Sequence, residues 1–229
     1  MELELFQAEN GPCPYRPEGL WVSYSFDLEK INPAFYEQLM RIGFRRSGHT
    51  FYKNNCPGCN DCIPIRIPVD AFKPSKSQRR NLRKNEDIVI QRTPVKMEME
   101  AFELYKHYVT KWHKTDTPPE LEEFYNFLVV TPLETQMLKF FYQNELVGIS
   151  WVDILPRSLS SVYFAFNPDF AKRGPGIFSL LKEIELCKQL RKKWLYLGFW
   201  VKGSPNMSYK SQYHPHELMV NGEWITVNG

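Results

Sequence analysis

The chain has 229 residues, 43% of them hydrophobic and 24% charged, with a net charge of +3; this is the balance of a globular protein with enough chain for one large core or two small ones. No run of eighteen apolar residues is present, which excludes a membrane-spanning helix, and the acidic start MELELFQAENG lacks the basic and apolar parts of a secretory signal. A cytoplasmic protein is expected, and there the five cysteines read as metal or redox ligands rather than as bridges.

Residues 1–12 read as a loose lead-in ending at Gly11-Pro12, and Pro14 and Pro17 keep the chain around Cys13 out of a helix. Leu20–Phe26 is a β-prone run. Asn32 and Pro33 open a helix as N-cap and first residue, with Phe35, Tyr36, Leu39 and Met40 on its apolar face. Phe44–Lys53 is a strand bent at Ser47-Gly48. Ile63, Ile65, Ile67 and Val69 alternate onto one face, and Pro64 and Pro68 predict that this strand lies at a sheet edge. Ser75–Asn85 is a short helix, and residues 86–96 a strand and linker. Apolar residues at 99, 102, 105, 109 and 112 predict an amphipathic helix over 98–112, and 121–129 a shorter one. Three strands follow, over 135–142, 146–155 and 159–166, the first two a hairpin turning at Gln143-Asn144. A helix over 175–193, a buried strand over 194–201, a helical stretch near 207–211 and a strand near 223–227 complete the chain. The expected fold class is α/β (α+β), divided into a cysteine-rich, basic part over 1–90 and a mixed-sheet part over 91–229.

Two neighbouring features carry chemistry. Cys56, Cys59 and Cys62 are spaced so that their thiolates can converge on one centre, with Cys13 as fourth ligand. Four thiolates suit zinc or an iron–sulfur cluster, and the spacing does not choose between them. Immediately after comes a basic run, Lys73, Lys76, Arg79, Arg80, Arg83 and Lys84, without an acid among them. Like charges on one short helix repel unless an anion arrives, so the run predicts a polyanion such as RNA. Arg173-Gly174-Pro175-Gly176 stands where a strand passes into a long helix, a place for an anion, but Phe178 is too large for a pyrophosphate loop and disfavours coenzyme A. His113 ends a helix, where it is either a general base or a partner of the last carbonyls.

The combination is similar to the aminoacyl-tRNA–protein transferases, nearest the bacterial aspartate/glutamate leucyltransferases, with the arginyltransferases as their relatives. The resemblance runs from Cys13 to Trp224. It lies in GFRRSG from Gly43, the cysteine knob, PIRIPV from Pro64, PSKSQRR from Pro74, Tyr108–His113, YFAFNPD from Tyr163, LYLGFW from Leu195 and SPNMSYK from Ser204. Arg16, Asn206, Gln212 and the Gly174-Pro175 loop depart from the family's pattern, on the presumed substrate side. The resemblance implies an N-terminal metal- or cluster-binding domain followed by an acetyltransferase-like α/β domain. It also implies a reaction: leucine passes from charged tRNA to the α-amino group of proteins beginning with Asp or Glu, marking them for degradation.

An aminoacyl ester is already activated, so such an enzyme aligns an amine with a carbonyl and needs no strong nucleophile. Tyr209, Lys210 and His113 are the catalytic candidates, the first two as donors to the carbonyl oxygen. Arg45, Arg46 and Arg66 are candidate cations for an acidic acceptor side chain, each of which can instead serve as a structural ion-pair partner. Tyr163 joins them on the substrate side, and the basic run takes the tRNA backbone. The alternatives are an arginyl-tRNA transferase, a tRNA-binding module without transfer, and an ordinary N-acetyltransferase.

Overall fold

A computed structural model describes residues 4–16, 18–205 and 207–228; Asn206, one of the family departures, lies outside them. Four strands, β1 (Phe6–Pro12), β2 (Leu20–Asp27), β3 (Arg45–Ser47) and β4 (Thr50–Asn54), form a small sheet in the order β1-β2-β4-β3. The expected lead-in is therefore a strand. β1 pairs antiparallel with β2 from Phe6 to Glu9; its mostly exposed, polar side chains leave no hydrophobic alternation by which to read it. Helix α1 (Pro33–Arg41) starts as predicted, with Asn32 Oδ1 accepting from the N–H groups of Ala34 and Phe35 at 2.9 and 3.2 Å.

The larger sheet contains β5 (Cys62–Pro68), β6 (Val89–Pro94), β7 (Thr135–Tyr142), β8 (Glu145–Ile154), β9 (Ser158–Phe166), β10 (Trp194–Val201), β11 (His216–Val220) and β12 (Glu223–Val227). Its order is β12-β11-β5-β10-β9-β8-β7-β6, antiparallel except for β9 beside β10. The β7–β8 turn falls on Gln143 and Asn144, both with positive φ, as a two-residue hairpin turn requires. β5 is not an edge strand. It lies between β10 and β11, and its prolines are tolerated because β11 bonds it only at Ile65 and Arg66. The sheet thus takes one central strand from the first ninety residues, so a division at residue 90 does not follow the sheet. β11 is an element the sequence reading missed.

Helix α5 (Pro175–Gln189) packs on one face of this sheet with α2 (Lys76–Lys84) beside it, burying Ile65, Ile67, Leu138, Leu159, Leu181, Ile184 and Leu195. Cys187 is fully buried there, the small core residue its place on the helix's apolar face implies. The other face carries α3 (Met99–Trp112) and α4 (Leu121–Phe124), which runs on into a π turn over Tyr125–Val129; their core holds Phe102, Tyr108, Phe124 and Trp151. A third core joins α1 and the small sheet to the large one through Tyr36, Phe51, Leu155 and Tyr196. Glu37 of α1 secures this junction by accepting from Arg157 N and Ser158 Oγ at the β8–β9 turn.

Candidate active site

The two sheets meet at a fault in the larger one. β9 and β10 pair in parallel only from Ser158–Ser160 against Trp194–Tyr196. Beyond this, β10 is irregular between Tyr196 and Phe199, where Gly198 takes φ +80. The carbonyls released there need donors, and cationic side chains supply two. Arg45 Nη2 donates to Ser161 O at 2.8 Å, and Lys210 Nζ donates to Phe199 O at 2.8 Å. Pro64 stands opposite Phe199 and has no N–H to offer. The Arg45 guanidinium lies flat against Gly198, where a Cβ would come within 3.5 Å of its Nε.

Over this fault opens a cleft of about 480 Å³. Tyr15, Trp21 and Tyr52 line it from the small sheet side, Phe127 from the π turn, and Val162, Leu197 and Phe199 from the splayed strands. Arg45, Arg46 and Lys210 also line it, and no carboxylate does among the described residues. The three cations differ in state. Arg46 is spent on Asp153, a buried bidentate pair with Nε–Oδ2 at 2.8 Å, which Thr135 Oγ1 completes from 2.7 Å. Arg45 is 8% exposed and has no ion-pair partner among the described residues. Lys210 is 9% exposed, and burial, followed by the charge of Arg45, pulls its ammonium down to about 7.

The other predicted residues go elsewhere. Arg66 is structural: its guanidinium is sandwiched between Trp194 and Trp224, 4.5 and 4.1 Å from their centroids, and bonds Glu217 and the Tyr196 hydroxyl. Tyr209 is 38% exposed and does not line the cleft. His113 is exposed after α3, edge-on to Tyr108 at 4.9 Å and outside the cleft; partial burial lowers its imidazolium. Tyr163 sits in an aromatic cluster with Tyr105 and Phe127, and burial raises its phenol well above the usual range. It reaches the cleft only through Phe127 and its neighbour Val162.

The cysteines share one corner beside the cleft. Burial, then the thiols of Cys56, Cys13 and Cys59, push the Cys62 thiol up to about 11. Cys13, Cys56 and Cys59 each act on Cys62, thiolates are the donors a thiophilic ion prefers, and a cation would reverse the penalty at Cys62. No three of them stand as a metal-binding group among the described residues. Cys56, Cys59 and Cys62 instead line a second opening of about 520 Å³ with Met219–Gly222, and Phe199 is its common wall with the first.

Helix α2 carries the basic run. Ser75 and Gln78 cap it reciprocally, and no carboxylate pairs with Lys73, Lys76, Arg79, Arg80, Arg83 or Lys84 among the described residues. Its inner side holds the Arg173–Gly174 loop: Asn81 Nδ2 donates to Arg173 O at 2.9 Å and Gly174 O at 3.1 Å, and Asn85 Nδ2 to Arg173 O at 3.0 Å. Arg173 returns a bond to Lys84 O and pairs with Asp87. The loop therefore fastens the charged helix to the end of the sheet. Asp153 and the cleft aromatics Tyr15, Trp21 and Phe127 escaped the sequence reading. A lone acid inside the apolar strand ELVGISWVDI was the one available signal for Asp153.

A positively lined cleft over a split parallel strand pair, with a basic helix that reaches the segment after Lys210 through Gln78, suits aminoacyl transfer from a polyanion such as tRNA. Sequence comparison agrees: residues 11–80 match the N-terminal model, and residues 100–220 the C-terminal model, of the arginine-tRNA–protein transferases. The chain belongs to this aminoacyl-tRNA–protein transferase family. It is 34% identical over 228 residues to an aspartate/glutamate leucyltransferase of Hahella chejuensis, covering 98% of this chain and 97% of that one. A leucyltransferase of the same name from Alcanivorax borkumensis is 38% identical over 196 residues, covering 85% and 81%. Among solved structures, FemX has the same fold at a TM-score of 0.50, with 8% identity over 91% of this chain and 84% of that one. No helix of the described residues is long and apolar enough to cross a membrane.

Proposed function

We propose that this cleft transfers leucine from charged tRNA to the α-amino group of proteins beginning with Asp or Glu. The observation that carries the reading is the charge of its lining: Arg45 unpaired, Lys210 beside it and no acid. An acidic first side chain gains a charge-assisted bond from Arg45, whose planar fork suits a carboxylate. The same lining disfavours arginine as the transferred residue, because a second guanidinium would meet the unpaired Arg45 and no counter-charge. Phe127, Val162 and Leu197 offer a leucyl side chain an apolar wall instead. The exposed cations of α2 take the tRNA backbone, and their lack of carboxylate partners among the described residues supports that role.

Transfer is tested with labelled Leu-tRNA and Arg-tRNA offered to peptides beginning with Asp, Glu or Arg. Label from Leu-tRNA on the Asp and Glu peptides is expected. Arginine transfer would refute the charge argument, and tRNA binding without any transfer would leave a binding module.

The four cysteines are proposed as ligands for zinc or an iron–sulfur cluster, and their shared corner supports this. Metal analysis and the visible spectrum of the purified protein test it, with Cys56→Ser expected to lose the centre. A metal-free protein of full activity would end the proposal.

A further inference from the structure

The aminoacyl ester brings its own activation, but the acceptor arrives mostly as an ammonium, whose pKa near 8 leaves only about a tenth of it neutral at pH 7. A group in the cleft that takes that proton raises the reactive fraction. His113 stands outside the cleft, and no carboxylate lines it among the described residues. We propose that Lys210, fixed on the Phe199 carbonyl at the wall of the cleft, is the proton acceptor for the attacking α-amine. The inference rests on this cleft being the transfer site.

The geometry suits the role. A neutral amine that spends one N–H on Phe199 O keeps a lone pair, and Lys210 Nζ has no hydrogen-bond partner besides that carbonyl among the described residues. The cleft disfavours its charge: Arg45 of β3 repels its proton, and Tyr15 and Tyr52, which also line the cleft, bring no negative charge. From β5, Cys62 would pull the other way only as a thiolate, which its burial disfavours. The residue of α2 that faces the lysine's segment is the neutral Gln78, which donates to Gln212 O at 3.3 Å. Burial and Arg45 together bring Lys210 to about 7, where a proton acceptor works best at neutral pH.

The reaction then balances without another reactant. Neutral Lys210 takes the ammonium proton, and the freed nitrogen attacks the ester carbonyl, whose π electrons move to oxygen. As the carbonyl re-forms, the bond to the tRNA 3′-oxygen breaks. That oxygen leaves with the proton held on Nζ, which restores neutral Lys210, and the second amine proton goes to solvent.

The test is single-turnover leucyl transfer at saturating Asp-initial peptide between pH 6 and 9, with wild type, Lys210→Arg and Lys210→Met. Both variants are expected to lose about 10-fold at pH 7 and to recover toward wild type above pH 8, where the peptide amine is already neutral. Lys210→Arg keeps a donor for Phe199 O but stays protonated throughout this range, so an Arg variant near wild type would overturn the proposal. So would a deficit constant with pH. Should the variants fail to fold, the wild-type acidic limb decides. Peptides whose α-amines differ in pKa must leave it in place; a limb that follows the peptide's pKa refutes Lys210. Arg45→Met separates this inference from the site reading. Loss of Asp-peptide affinity there with wild-type pH behaviour at position 210 ends only the proton-acceptor role. Unchanged peptide binding and transfer in Arg45→Met ends the site reading itself.

Discussion

Removing the Lys210 ammonium is expected to stabilise the protein, and by an amount that depends on pH. In the unfolded chain this lysine holds its proton up to about 10.5, and in the folded protein only up to about 7. Between these values the unfolded state binds more protons, so wild-type stability rises with pH across that window. Below pH 7 the penalty is complete, and at 1.36 kcal/mol per pKa unit it reaches up to about 4–5 kcal/mol. Lys210→Met removes it and forfeits the bond to Phe199 O, about 1 kcal/mol. The variant's advantage should therefore be greatest at pH 6–7 and shrink by about 2–3 kcal/mol by pH 9. For a chain of this size that is a narrowing of about 5–10 °C in the difference between melting temperatures. Thermal denaturation of both proteins across pH 6–9 measures it. Parallel curves would refute the reasoning, because they would mean that Lys210 stays charged in the folded state.

Glu183 provides the mirror case. Its carboxyl is fully buried, Oε1 accepts from Ser150, and burial pushes it up to about 7. The folded state here binds more protons between the ordinary carboxyl value and 7, so stability falls as pH rises through that window. Glu183→Gln should gain about 2–3 kcal/mol on wild type from pH 5 to pH 7.5; a pH-independent difference in urea midpoints would contradict this. Asp153→Asn leaves Arg46 charged and buried without its counter-ion and should cost about 3–5 kcal/mol, read by urea unfolding; a change below about 1 kcal/mol would show the pair to be solvated. Replacing Arg79, Arg80 and Arg83 together by Gln should flatten the slope of log affinity for tRNA against log salt by about 2–3. An unchanged slope would move the tRNA site off α2.

What could be read in advance followed from local rules. Asn32-Pro33 caps a helix through bonds to residues within one turn, so spacing along the chain is sufficient. The Gln143-Asn144 turn and the apolar run WLYLGFWV are equally local, one a matter of backbone conformation and the other of burial on both faces. β1 was missed because its side chains are mostly exposed. β5 was misplaced because its prolines speak of lost N–H groups but not of how few bonds its neighbour β11 would ask for.

The site divides along the same line. The sequence by itself determined the residue types: a cysteine corner, a basic helix, a pair of arginines at 45 and 46, and a lysine at 210. It could not sort Arg45 from Arg46 and Arg66, because the difference lies in Asp153, Glu217 and two tryptophans that are 107 or more positions away along the chain or brought in from other strands. Nor could it draw Lys210 into a cleft with Arg45, since only the parting of β9 from β10 creates the carbonyls that hold both. Charge is a property of residue type and is written in the chain. Whether that charge is neutralised, displaced or left free depends on long-range packing, and only the tertiary structure decided it.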